Sequence, residues 1–351
     1  MYQNKKKFLE QLRDHVIDLR NQGKTLPAGT ILKVLGPMEL TVDKMNDNIH
    51  IPHVLRRYGG KGRLLELYKE HIIDVAIKSG ATTFVDCFGG GGTISLLAAQ
   101  LVNPMTGNAL FQKVIYNEKE PGVAALFRVL KSHADTQKLS AMILNTPYSR
   151  KSFEQAMQVC QAANNGQNYP DMELALHAFI LSCTSFNSAG KTYRANKVAG
   201  KKKYNYEANM YNHASCLVNA VPLMRCITVE QDDYLNVLDK YSNQKVYGKV
   251  MFFLDPPYLS TERAKGARSV YLNEMDLVQH MNMANCLSVL KHWILCGYYS
   301  EKTAGLEIDP YEALKKERGG VEQIISPLVH RPTSSKSTKD NGAHEVIWKK
   351  P

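Results

Sequence analysis

The sequence predicts an α/β protein, an open and largely parallel sheet with helices on both faces. Two observations carry that expectation. Short apolar runs of strand length recur at residues 82–87, 113–116, 226–230, 250–254 and 293–296. Between them, residues 64–77, 93–101, 122–131 and 276–290 repeat apolar positions at helical spacing. Strands alternating with helices require crossover connections, and crossovers lead to parallel pairing with both sheet faces covered. A chain of 351 residues, 44% hydrophobic and 22% charged, is ample for such a core.

Taken in order, Phe8, Leu9, Leu12, Val16 and Leu19 predict an amphipathic helix over residues 5–21. The stretch from there to residue 54 is irregular and suggests an N-terminal extension without an assigned role. The strand–helix alternation follows and is broken once, by residues 187–211. Between Lys191 and Lys203 this excursion holds six Lys or Arg and no acid. Its cations are interleaved with Phe186, Tyr193, Tyr204 and Tyr206, a combination that suits phosphates and exposed bases. A solvated charged loop is the alternative. Near the end, residues 322–326 and 345–348 predict a terminal hairpin, and 333–341 a polar loop.

Composition narrows the class. No apolar run approaches bilayer length, and Met-Tyr-Gln-Asn-Lys-Lys-Lys does not open a signal peptide. We expect a cytoplasmic protein of a bacterium or phage-infected cell, with no membrane contact and no obligatory protein partner. Seven scattered cysteines without a Cys-x-x-Cys pair predict reduced core thiols, and no metal site is expected. The formal net charge of +11 favours a polyanionic partner.

The chemistry gathers where strands should end. Asp255-Pro256-Pro257-Tyr258 follows the apolar run 250–254, and two prolines stiffen the turn and remove two amide donors. The acid and a free carbonyl can hold an exocyclic amino group while the ring stacks on its heterocycle. Phe84-Val-Asp-Cys-Phe-Gly-Gly-Gly-Gly-Thr93 is a second strand entering glycines and then a helix, a place where backbone can approach a ligand. The next strand ends at Glu118, 26 residues after Gly92, where nucleotide-binding sheets place an acid for ribose hydroxyls. Arg57-Tyr-Gly-Gly-Lys-Gly62 precedes the first helix, and Asp232-Asp233-Tyr234 follows the strand at 226–230.

In that order these segments resemble the Dam-like (D12 class) DNA adenine-N6 methyltransferases, over roughly residues 55–300. The resemblance implies a Rossmann-like sheet dependent on S-adenosyl-L-methionine, with an inserted target-recognition region. It implies a catalytic domain at 55–160 and 226–351, a DNA-reading insert at 161–225, and double-stranded DNA as partner. Phe88, Gly90 and Gly92 would shape the methionine end of the donor site, and Asp86 would also contact the donor. Glu118 would take the ribose and Asp233 the donor's adenine, while Lys61 and Tyr58 would close the pocket. Asp255 and the Pro256 carbonyl would accept from the target amino group, Pro257 would hold the turn, and Tyr258 would stack on the extruded base. Residues 186–196 resemble the family's DNA-reading hairpin, with Arg194 toward a base edge, Asn187, Lys191 and Tyr193 as further DNA contacts, and Lys201, Lys202 and Lys203 on phosphates. Cys87 stands where the family usually has proline, and the Gly-Gly-Lys segment is one residue short.

Accepting both amino hydrogens would favour a pyramidal nitrogen, its lone pair directed at the sulfonium methyl for direct in-line transfer. Cytosine N4 presents the same geometry. RNA and glutamine methyltransferases carry similar Pro-Pro-Tyr turns, but the gap here of about 160 residues between glycine loop and turn leaves room for a DNA-reading insert. A non-catalytic DNA-binding protein of the same fold is the remaining alternative.

Overall fold

The computed structural model describes residues 46, 49–57, 61–195, 205–259, 273–299, 310–311, 314, 320–326, 329–330 and 342–351. The helix expected over 5–21 and the loop at 333–341 lie outside the described residues. The strands are β1 (Thr83–Asp86), β2 (Lys113–Asn117), β3 (Ile227–Glu230), β4 (Val250–Leu254), β5 (Trp293–Tyr299), β6 (Glu322–Ile325), β7 (Val329–His330) and β8 (Gly342–Lys350). Seven follow the spatial order β3, β2, β1, β4, β5, β8, β6, and the short β7 pairs with β8. Strands β1 to β5 are mutually parallel, whereas β8 runs antiparallel between β5 and β6. The expected α/β class and its five core strands are therefore observed. The expected tail hairpin is present too, but β8 is longer and inserts into the sheet.

The helices include α1 (Leu65–Ser79), α2 (Thr93–Ala98), α3 (Pro121–Val129), α4 (His133–Leu144), α5 (Arg150–Asn164), α6 (Asp171–Thr184), α7 (Tyr206–Cys216), α8 (Tyr234–Ser242) and α9 (Leu277–Val289). Their starts follow local chemistry. Side chains of Ser132, Ser149, Asn205, Asp233 and Asp276 accept from first-turn amides of α4, α5, α7, α8 and α9. Asp276 and Gln279 complete a reciprocal capping box.

Strands β1 and β4 are buried along their whole length, because helices cover both faces. Val85, Ile115, Phe252, Leu254 and Leu295 pack with Val237 and Leu238 of α8 and Met283 and Leu287 of α9. Phe84 and Phe253 belong to the other face, where Tyr68 of α1 meets Phe253 edge-on at 5.8 Å. There Tyr116 stacks on Phe127 of α3 at 4.2 Å.

Helices α4 to α7 are inserted between α3 and β3, and α6 packs on α3 and α5. The expected domain boundary at 160/161 falls inside α5. Residues 45–351 form one compact unit, since α6 buries Leu174, Ala175, Ala178 and Phe179. All seven cysteines are free. Cys87, Cys160, Cys183 and Cys296 are buried as expected, but Cys216 and Cys226 are exposed, correcting the reading of all seven as core thiols. They fall at the surface because one ends α7 and the other precedes an edge strand of the sheet. No helix among the described residues is long and apolar enough to cross a membrane.

Phe253 is fully buried between the sheet and α1. Phe253→Ala is expected to lower unfolding free energy by about 3–5 kcal/mol in urea titrations. A loss under about 1 kcal/mol would contradict its place in the core.

Candidate active site

Parallel strands bring their C-terminal ends to one edge, and the strand order reverses between β1 and β4. The connections from these two strands therefore leave in opposite directions and open a crevice. Four strand ends meet it: the glycine loop after β1, Asn117–Glu118 after β2, Asp232–Asp233 after β3, and Asp255 with its proline turn after β4. Reversed β8 brings Glu345 to the same edge, where it pairs with Tyr298 of β5.

The glycine loop is shaped from below. A Cβ on Gly89 would lie 2.2 Å from the Tyr116 ring, and one on Gly92 2.4 Å from Phe127, with Gly92 at φ +77°. At Gly90 the same position meets, among the described residues, only the Phe88 carbonyl, 3.9 Å away, so they leave the backbone open to a ligand there. Tyr116 donates to the Gly90 carbonyl at 2.8 Å, and Glu118 accepts from the Gly90 amide at 3.0 Å and the Glu120 amide at 2.9 Å. Burial raises the Glu118 carboxyl above its ordinary range, against the charge of Arg57. Arg57 itself pairs with Glu120 at 2.5 Å.

Asn117 ties three strand ends together. Its amide donates to the carbonyls of Cys87 and Asp232, each at 3.0 Å, and accepts from the Asp232 amide at 3.0 Å. Asp233 caps α8 and pairs with Lys119 at 2.9 Å, and the Phe88 ring lies 5.2 Å from Tyr234. Asp86, expected at the donor site, is 1% exposed and accepts from Ser95 at 2.7 Å. Its burial pushes the carboxyl up to about 7. It braces the loop from beneath.

A cluster of polar side chains forms at the end of β4. Lys61 Nζ lies 2.8 Å from Asp255 Oδ1 and 3.5 Å from Glu345 Oε2. The Tyr258 hydroxyl accepts from Lys61 at 2.8 Å and donates to Asp255 Oδ1 at 3.0 Å. Tyr68 donates to Glu345 Oε2. Burial opposes charge on Lys61, but Asp255 and its neighbours outweigh it and hold the ammonium well above its ordinary range. Burial also raises the Asp255 carboxyl, with Lys61 acting in the opposite direction. The Tyr258 ring is buried in this arrangement.

His280 of α9 steadies the turn. Its Nε2 lies 3.0 Å from the Pro257 carbonyl, which can only accept, so Nε2 donates. In the neutral ring, Nδ1 then accepts from the Tyr311 hydroxyl at 2.6 Å.

Away from the crevice, Ser185 and Tyr193 pair as an antiparallel bridge, closing a tight hairpin in the expected DNA-reading segment. Phe186, whose amide donates to the Thr192 carbonyl beside that bridge, and Lys191 are exposed. Tyr193 sits near Tyr148, Phe153 and the Arg150 guanidinium. Arg194 is turned inward: its Nη2 donates to the Cys183 carbonyl at 2.9 Å, and its guanidinium lies 4.3 Å from the Tyr206 ring centroid. Asn187 lies in the short turn at Phe186–Ser188. Tyr58, Lys201, Lys202, Lys203 and the Asn187 side chain lie outside the described residues. Sequence does not single out Arg57, Tyr68, Asn117, His280 and Glu345 as site residues. Arg57 and Asn117 do lie in segments that carry a signal, the Gly-Gly-Lys segment and the strand that ends at Glu118.

Residues 58–306 match the model of the D12 class N6 adenine-specific DNA methyltransferases. The chain belongs to this family. A Haemophilus influenzae protein named "Putative methyltransferase" is 23% identical over 207 residues, 57% of this chain. The match spans 62% of that relative's length.

The buried Asp86 gives a pH test. Its carboxyl keeps its proton to about pH 7 in the folded protein but ionises near 3.8 when unfolded. Between these values the unfolded chain binds fewer protons, so this group lowers stability as pH rises. Asp86→Asn retains an acceptor for Ser95 and removes the titration. The fall in melting temperature from acid to neutral pH should be smaller in this variant than in the parent; an identical slope would contradict the burial of a protonated carboxyl.

Proposed function

We propose that this protein transfers a methyl group from S-adenosyl-L-methionine to the N6 amino group of adenine in double-stranded DNA. The observation that carries the reading is the carboxylate of Asp255 at the end of β4, joined to a proline turn and set across the β1–β4 crevice from an open glycine loop. Family membership and a net charge of +11 agree with it.

The residues present fit the methyl donor. The backbone at Gly90 leaves space for a ligand, and acids stand at the ends of β2 and β3, as hydroxyl and amino groups of a nucleoside require. Phe88, Gly90 and Gly92 would line the methionine end, Glu118 the ribose and Asp233 the adenine. When bound, the donor supplies a methyl group on a sulfonium, an electrophile that needs no metal.

The chain's own task is to make a poor nucleophile better. The adenine amino lone pair is delocalised into the ring, and hydrogen bonds from both amino hydrogens to Asp255 and the Pro256 carbonyl favour a pyramidal nitrogen. His280 holds the next carbonyl of the turn, so the acceptors are preorganised. Stacking of Tyr258 on an extruded base belongs to a state in which its hydroxyl has left Asp255; the incoming amino group supplies the replacement hydrogen bond. Lys61 remains beside the carboxylate and favours its ionised form, against the burial that opposes it.

Within the insert, the hairpin closed by Ser185 and Tyr193 is the DNA-reading candidate, with Lys191 and Arg194 on it and Lys201, Lys202 and Lys203 supplying phosphate contacts. For Arg194 to reach a base edge, its guanidinium must leave Cys183 and Tyr206. A bidentate arginine–guanine contact would take their place and supply about 1–3 kcal/mol of discrimination between bases.

The test is incubation with radiolabelled donor and duplex DNA, followed by digestion to nucleosides. Label in N6-methyladenine is expected, and Asp255→Ala should lower transfer by at least about 1000-fold while donor affinity changes far less. Label in N4-methylcytosine or RNA would replace the substrate, and retention of most activity in Asp255→Ala would remove Asp255 from its role.

A further inference from the structure

We propose that Glu345 is a positioning residue for methyl transfer, a second carboxylate that shares the Lys61 ammonium with Asp255 and fixes how Asp255 is presented. The inference rests on the reading of Asp255 as acceptor of the target amino hydrogens. Glu345 lies beyond the family match, which ends at residue 306.

The geometry is specific. Lys61 has a side chain only 6% exposed and stands between Asp255 Oδ1 at 2.8 Å and Glu345 Oε2 at 3.5 Å. Tyr68 donates to that same Glu345 oxygen, which aims the carboxylate at the lysine. The backbone behind it is also fixed. The Glu345 amide donates to Ser326 Oγ at 2.8 Å, and the Ser326 amide donates to the Glu345 carbonyl at 2.8 Å.

The bonds from Lys61 and Tyr258 both fall on Oδ1 of Asp255. A lone buried ammonium would be drawn toward both oxygens of its only carboxylate. With Glu345 pulling from the β8 side, it stays on one, and Oδ2 is left for the amino group. Glu345 also acts through charge. Around Asp255 stand Lys61, Tyr68 of α1, Asp86 of β1, Tyr258, Cys296 of β5 and Glu345 of β8. The negative charge of Glu345 makes Asp255 a stronger base. Removing it moves the ionisation of Asp255 to lower pH.

The test compares the full-length parent with Glu345→Gln and Glu345→Asp in single-turnover transfer to duplex DNA across acid and neutral pH. Glu345→Gln should slow transfer about 10- to 100-fold at neutral pH and move the acid limb of the rate profile to lower pH. Donor and DNA affinities should stay within about threefold. Glu345→Asp, which keeps the charge, should return the limb toward the parent's. An unchanged rate and limb in Glu345→Gln would overturn the proposal. A second readout needs no activity: the Lys61 ε-methylene, followed by NMR, should titrate at lower pH in Glu345→Gln than in the parent. A parent without methyl transfer to DNA overturns the proposed activity, and with it the role of Glu345 in transfer. An unmoved Lys61 titration in an active parent overturns the role of Glu345 alone.

Discussion

A buried lysine is the constraint on which the rest of the site depends. Moving an ammonium out of water costs several kcal/mol unless carboxylates and hydrogen bonds replace the water. Lys61 satisfies that requirement with Asp255, Tyr258 and Glu345, drawn from the exit of β4 and from β8. Tyr68 of α1 completes the cluster through Glu345. These elements must therefore arrive together. A one-residue slip of β8 would turn Glu345 to the other face of the sheet and leave the lysine with a single carboxylate.

The sheet makes this arrangement possible. Because β1 and β4 are parallel and central, their loops diverge on either side of one crevice, with the glycine loop facing the proline turn. Aromatic packing then sets the loop's shape: Tyr116 and Phe127 occupy the space that side chains at Gly89 and Gly92 would need. Tyr116 also bonds the Gly90 carbonyl, linking the packing beneath the loop to the surface a ligand would meet. Helix α6 buries itself against α3, so the hairpin closed by Ser185 and Tyr193 is anchored to the helix that follows the β2 acid.

The parts legible in the sequence were those written in local patterns. Runs such as Val250–Leu254 announce buried strands, and glycine or proline at their ends announces the loops. Contacts between distant segments were not legible. Lys61 and Glu345 are separated by 284 positions, and no local pattern distinguishes Glu345 from a surface acid on a tail hairpin. His280 lacked ligand spacing because its partners are a turn carbonyl and a distant tyrosine hydroxyl. Asp86 and Arg194 show a different limit. Residue type suggests ligand and base contacts, but it does not reveal that the carboxylate also accepts from Ser95 beneath the loop, or that the guanidinium also meets the Cys183 carbonyl and the Tyr206 ring. Polar side chains near a site also serve to build it.

The dependence of the site on the Lys61–Asp255 pair is tested most directly by a double-mutant cycle in urea unfolding, with Lys61→Met, Asp255→Asn and their combination. Lys61→Met should be strongly destabilising because it strands two carboxylates, and adding Asp255→Asn should recover part of the loss. A coupling energy of about 2 kcal/mol or more is the predicted result. Additivity within about 0.5 kcal/mol would show that the two groups do not depend on each other.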